Sequence, residues 1–133
     1  MMRILDAHAL MAFLEKEPGY EAVKTLFVSA VEKDEPILMT TVNYGEAYYV
    51  ILRECGLGKI NEVERIVEGL PIEFVAVDLA LAREAARIKA KARMSYADCF
   101  AAALAKSLHG EVVTGDREFA AIKNEIKIMW LPR

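Results

Sequence analysis

The sequence predicts an α/β fold: a central, mainly parallel sheet of about five strands flanked by helices. Two observations carry this reading. Short apolar runs alternate along the chain with longer segments whose apolar residues recur at helical spacing, the pattern of parallel strands joined by crossover helices. The joints between them carry caps and breakers, with Asp, Ser or Thr where helices should begin and Gly or Pro where they should end.

The first strand is Met2 to Leu5, followed by a helical stretch from about His8 to Leu14. Glu17-Pro18-Gly19 breaks that helix, and a second runs from about Tyr20 to Val31, with Ala22, Leu26 and Ala30 at helical spacing. Asp34-Glu35-Pro36 turns the chain into a second strand, Ile37 to Met39. Thr40 or Thr41 can cap a helix that passes through Glu46 toward Cys55, where Gly56 sits at the expected stop. A further helix is expected over Asn61 to Glu68, and Pro71 opens a third strand, Ile72 to Val77. Asp78 caps a helix rich in Ala, Arg and Lys that runs to about Arg93; Ser95 starts the next, which ends at His109-Gly110. Glu111 to Thr114 is the fourth strand, Asp116 begins a short helix, and Lys127 to Trp130 is a fifth strand at an edge.

A chain of 133 residues has room for one domain, and 55% hydrophobic with 28% charged residues suits a single well-buried core. No apolar run approaches the ~18 residues a bilayer span requires. Asp6 and His8 interrupt the start before it could serve as a secretory signal, so a cytoplasmic location without membrane association is expected. The net charge of -3 argues against a simple DNA-binding module but not against an enzyme that gathers carboxylates at its centre. Cys55 and Cys99 have no partners in sequence and only two histidines accompany them, which excludes a zinc ribbon or a disulfide framework.

Four acids stand apart: Asp6, Glu46, Asp98 and Asp116. Asp6 ends the first strand and Asp116 follows the fourth, and the carboxyl ends of parallel strands open onto a shared crevice where ligands bind. Glu46 and Asp98 lie near helix starts beside Ala47, Ala97, Ala101 and Ala102, residues small enough for close helix approach. Each acid has a plain alternative: Asp6 and Asp116 as helix caps, Asp98 as the third residue of a Ser95 capping box, Glu46 as a solvated helix residue. Capping does not explain a shared location. Two unit charges ~4 Å apart at an effective dielectric of ~20 repel by about 4 kcal/mol, so a convergent cluster calls for a cation. An oxygen-only donor set favours Mg²⁺ or Mn²⁺.

These residues carry a family resemblance. Ile4-Leu5-Asp6, Thr40-Thr41-Val42-Asn43-Tyr44-Gly45-Glu46, Ser95-Tyr96-Ala97-Asp98 and Val112-Val113-Thr114-Gly115-Asp116 stand in the order and spacing of a PIN-domain protein, over nearly the whole chain. The chain resembles the VapC-type toxin ribonucleases. The resemblance implies a PIN-like three-layer α/β/α sandwich and a Mg²⁺- or Mn²⁺-dependent endoribonuclease that hydrolyses RNA with metal-activated water. By the same resemblance, Asp6, Glu46, Asp98 and Asp116 would be the catalytic, metal-holding quartet, supported by Thr114; Asn43 is a further supporting candidate, and His8, which departs from the family pattern, could touch a phosphate or metal-bound water. Many family members carry Ser or Thr two residues after the first acid, where this chain has His8. A homodimer and a cognate antitoxin that blocks the acidic groove are also implied.

Substrate binding needs positive charge, for which Arg83, Arg87, Lys89, Lys91 and Arg93 form candidate RNA contacts on one helix, although such stripes are commonly solvated faces. Arg53, Lys59 and Arg117 are comparable. Tyr44, Tyr48 and Tyr49 could stack on bases but suit packing better, and Cys99 reads as a small buried hydrophobe. Leu10, Phe13, Leu14, Leu26 and Phe27 exceed what one helix face needs, consistent with a partner surface or a thick core. Two rival classes remain. One is a PIN-like binding domain without catalysis. The other is a Mg²⁺-dependent phosphoacceptor domain, for which the second and third strands lack the required Asp and Lys.

Overall fold

Five strands, β1 (Arg3–Leu5), β2 (Ile37–Thr40), β3 (Ile72–Val75), β4 (Glu111–Thr114) and β5 (Lys127–Trp130), form one sheet in the order β3-β2-β1-β4-β5. Every pairing is parallel. The computed structural model describes residues 1–132. Five α-helices, α1 (Ala7–Leu14), α2 (Tyr20–Lys33), α3 (Thr41–Glu68), α4 (Leu79–Lys91) and α5 (Tyr96–Leu108), and a 3-10 helix over Arg117–Ile122 complete it.

Period-two alternation along the strands builds the layers. Ile4, Leu38 and Val112 face α4 and α5, in a cluster with Leu81, Ala85, Ile88 and the alanines of α5. Their neighbours Leu5, Ile37, Met39 and Val113 face the other way, onto Leu10, Val23, Leu26 and Phe27 of α1 and α2. The result is the expected three-layer sandwich. A third cluster folds α3 upon itself, with Ile51 of its first part against Ile60, Val63 and Val67 of its second.

Several boundaries differ from the sequence reading, each for a local reason. The helix predicted to stop at Gly56 does break there, since Gly56 adopts φ 85°, a left-handed value that suits a residue without Cβ. Its second part resumes directly rather than at Asn61, through Leu57, Gly58 and Lys59 to Ile60, which is already buried in the third cluster. β3 ends at Val75 rather than Val77, because Ala76 and Val77 lead into the Asp78 cap, whose carboxylate accepts from the Leu81 N–H at 2.8 Å. Helix α4 closes at Lys91, short of Arg93. Leu10, Leu26 and Phe27 belong to the core, with Phe13 and Leu14 packed against it, so this group serves the thick core and not a partner surface.

Two features shape the carboxyl end of the sheet. β1 lies between β2 and β4, so the chain order reverses across it and leaves a crevice at the carboxyl ends of β1 and β4. Fully buried Phe119 anchors the 3-10 helix to the α5 face of the core, a contact of the kind worth about 3–5 kcal/mol when truncated to Ala.

Candidate active site

The carboxyl end of β1 delivers Asp6 into that crevice, where the side chain is fully buried. Its Oδ1 caps α1 by accepting from the Ala9 N–H at 2.8 Å, and its Oδ2 accepts from the Thr114 hydroxyl across the β1–β4 pair. Thr114 is also fully buried, and its Oγ1 accepts from the Asp116 N–H at 2.9 Å. One hydroxyl therefore ties the Asp6 carboxylate to the backbone of Asp116. Asp116 in turn caps the 3-10 helix through the Glu118 N–H at 3.0 Å. The capping reading of these two acids and their gathering in one cleft are both true.

Helix packing supplies the other wall. Ser95 caps α5, accepting from the Asp98 N–H at 3.2 Å, and the small side chains of Ala101, Ala102 and Ala103 let α5 lie against the sheet with no exposure. Asn43 ties the start of α3 to this helix: its Nδ2 donates to the Ala97 carbonyl at 2.9 Å while its Oδ1 accepts from the Thr40 hydroxyl at 2.5 Å. Glu46 follows one turn along α3 and is half-buried.

Electrostatics record the convergence. Burial, chiefly, raises the Asp6 carboxyl to about 7, with Asp116 and Glu46 pushing the same way and the Thr114 and Ala9 donors opposing. Burial also leads in raising Asp98 to about 8, followed by Asp116, Asp6 and Glu46. Glu46 is raised by burial and by the nearby charges of Asp116 and Glu118. Asp6, Glu46 and Asp98 thus each feel the charge of Asp116. No lysine or arginine pairs with any of them among the described residues.

The donor set fits a divalent cation. Asp98 Oδ2 is buried without a hydrogen-bond donor, and carboxylate oxygens of Asp98, Asp116 and Glu118 lie within 4.8 Å of one another. These are hard oxygen donors of the kind Mg²⁺ or Mn²⁺ binds, through one or two carboxylates, before completing its shell with water and phosphate. Glu118 is a member that the sequence reading missed; two residues after Asp116 and at the start of a helix, it looks like an ordinary first-turn acid.

His8 reaches the site through the backbone. Its Nδ1 accepts from the Gly115 N–H at 3.1 Å, between Thr114 and Asp116. A Cβ at Gly115 would lie 2.3 Å from His8 Cε1, so this close approach requires glycine. The basic helix residues have partners away from the acids: Arg87 pairs with Glu84, Lys91 with Glu125, and Lys89 donates to the Met94 carbonyl. Arg83 and Arg93 are exposed. Tyr48 donates to Glu64 at 2.8 Å, Tyr49 lies under Arg53, and Arg117 stacks on Trp130 while donating to the Leu131 carbonyl. Cys99 is fully buried, as a small hydrophobe would be.

The sequence profile of the PIN domain matches residues 3–125. Ribonuclease VapC30 of Mycobacterium tuberculosis is 36% identical over 110 residues, covering 77% of this chain and 81% of that protein. Among solved structures, VapBC2 from Rickettsia felis, bound to a DNA fragment from its promoter, superimposes with a TM-score of 0.80 at 13% identity, covering 99% of this chain and 100% of that one. DNA-bound VapBC from Salmonella typhimurium gives 0.78 at 20% identity, with 97% of each chain covered. The chain belongs to the PIN domain family, and within it to the VapC ribonucleases.

Proposed function

We propose that this protein is a Mg²⁺- or Mn²⁺-dependent endoribonuclease and the toxin of a toxin–antitoxin pair. The observation that carries the reading is the buried, donorless Oδ2 of Asp98 set among the other carboxylates in the β1–β4 crevice. An oxygen of that kind is costly unless a cation or proton shares it. The relatedness to Ribonuclease VapC30 supports RNA as the substrate.

Asp6, Asp98 and Asp116 would hold the cation, with Glu46 beside them. When bound, the ion would supply Lewis acidity toward a phosphodiester and lower the pKa of water. The chain's own groups do the rest. Thr114 holds the Asp6 carboxylate and the Asp116 backbone, the Glu118 N–H holds the Asp116 carboxylate, and Asn43 fixes the approach of α3 to α5 and so the distance of Glu46 from Asp98. Glu46, half-buried beside these acids, would orient the attacking water and accept its proton. No protein nucleophile is needed. Arg83, Arg87 and Lys91 form an exposed stripe on α4, with Lys89 and Arg93 a second exposed pair, and the surface ion pairs of Arg87 and Lys91 exchange at little cost for RNA phosphates.

Protein partners are a cognate antitoxin and a second copy of this chain. The VapBC assemblies that share the fold support the first. Exposed Leu52, Leu57 and Ile66 on α3 and Val28 and Val31 on α2 supply apolar surface for such contacts. No helix among the described residues is long and apolar enough to cross a membrane.

The reading is tested by incubating purified, antitoxin-free protein with end-labelled single-stranded and structured RNAs. Cleavage with Mg²⁺ or Mn²⁺ that stops in EDTA is expected; a folded protein that binds metal yet cuts none of a broad RNA panel would favour the binding-only alternative.

A further inference from the structure

Helix α5 opens with an incomplete capping box. In the complete form, the cap residue accepts from the N–H three residues on, and that residue's carboxylate accepts in return from the cap N–H. Ser95 makes the first half with Asp98. The Ser95 N–H, however, donates to Glu118 Oε1 at 2.9 Å, across 23 residues of sequence. Asp98 makes no bond to it, and its Oδ2 stays buried and donorless among the acids.

We infer that Glu118 is a positioning residue: it takes the place of Asp98 in the cap of α5, and so frees the Asp98 carboxylate for the metal cleft. This inference rests on the metal-nuclease reading. Two arrangements compete for Asp98. It can turn back to its own helix terminus, where an N–H and the helix dipole attract a carboxylate, or it can face Asp116 and Asp6 against their repulsion. With Glu118 on the Ser95 N–H, the first arrangement has no donor to offer. The same bond ties the 3-10 helix that carries Asp116 to the helix that carries Asp98, and Phe119, next in sequence, buries completely to hold Glu118 in place. The Glu118 carboxylate also lies close enough to Asp98 and Asp116 to compete for the role of direct ligand, and the two roles are separable by chemistry. A cap needs an acceptor atom, while a ligand to Mg²⁺ or Mn²⁺ needs the negative charge.

The test compares Glu118→Gln, which keeps an acceptor without charge, with Glu118→Met, which matches the length but keeps neither. Mn²⁺ binding to the purified protein, with no RNA present, should stay within about threefold of wild type for Gln and weaken by about tenfold or more for Met, the range typical of groups that orient metal ligands. Equal losses in both variants would make Glu118 a charged ligand, and no loss in either would make it a surface acid; each result overturns the inference. Wild-type protein that binds no Mn²⁺ would overturn the metal-nuclease reading and this one with it. A crystal structure of metal-free Glu118→Met separates the two: Asp98 turned to accept from the Ser95 N–H is expected, and Asp98 still facing Asp116 would overturn the positioning role whatever the metal does.

Discussion

Thr114 and Asp6 are joined by a buried hydrogen bond between adjacent parallel strands, and the same hydroxyl accepts from the backbone of Asp116. A neutral side chain thus ties the Asp6 carboxylate to the backbone of Asp116 and fixes where the second acid leaves the sheet. Replacing it with Val keeps the shape and removes both bonds. Thr114→Val is expected to lower stability by about 1–3 kcal/mol and to weaken Mn²⁺ binding roughly 10- to 100-fold. Chemical denaturation and calorimetric titration check the two effects separately.

The raised carboxyls make metal-free stability depend on pH. Asp6 at about 7 and Asp98 at about 8 hold protons in the folded chain that an unfolded chain, with Asp near 3.9, has already released. The folded state binds more protons across that interval, so stability falls as pH rises from about 4 through 8. Melting curves in EDTA should show this decline, and saturating Mg²⁺ should flatten it by neutralising the ionised cluster. A melting temperature that rises steadily over the same interval in EDTA would contradict the burial of these acids.

Asp98→Asn removes the charge whose burial is costly while keeping the shape. In EDTA at pH 8, the variant should be more stable than wild type by on the order of 1 kcal/mol, a shift of roughly 3–5 °C. Adding Mg²⁺ should reverse the order, because wild type alone gains full binding energy.

Gly115 and His8 form a packed pair whose coupling is measurable. Gly115→Ala places a methyl against the His8 ring and should cost about 1–3 kcal/mol. In a His8→Ser background the ring is gone, and the same substitution should cost less than half as much. A double-mutant cycle gives the coupling directly; additive losses would show that the ring moves aside freely.

Much of the architecture was legible in the sequence because the signals are local. The apolar runs that became β1, β2 and β4 are buried on both faces, as parallel central strands are, and Asp78 and Ser95 cap the helices they precede. Asp6 and Asp116 could be placed in one cleft because residues at the carboxyl ends of neighbouring parallel strands must share it. What escaped was long-range. The pairing of Glu118 with the Ser95 N–H spans two elements and leaves no periodic trace, so Ser95 and Asp98 read as a complete capping box. The same holds for His8 against Gly115, which join residues 107 apart. Strand β3 was extended too far because Ala76 and Val77 are apolar in sequence although they have left the ladder.

The most direct measurement is the rate of RNA cleavage in Mg²⁺ by Asp6→Asn, Glu46→Gln, Asp98→Asn and Asp116→Asn, beside Asp78→Asn, a carboxylate that only caps α4. The proposed site predicts losses of at least about a hundredfold for each of the four, in proteins that remain folded, with Asp78→Asn near wild type. Near-wild-type cleavage by a folded Asp98→Asn variant would contradict it.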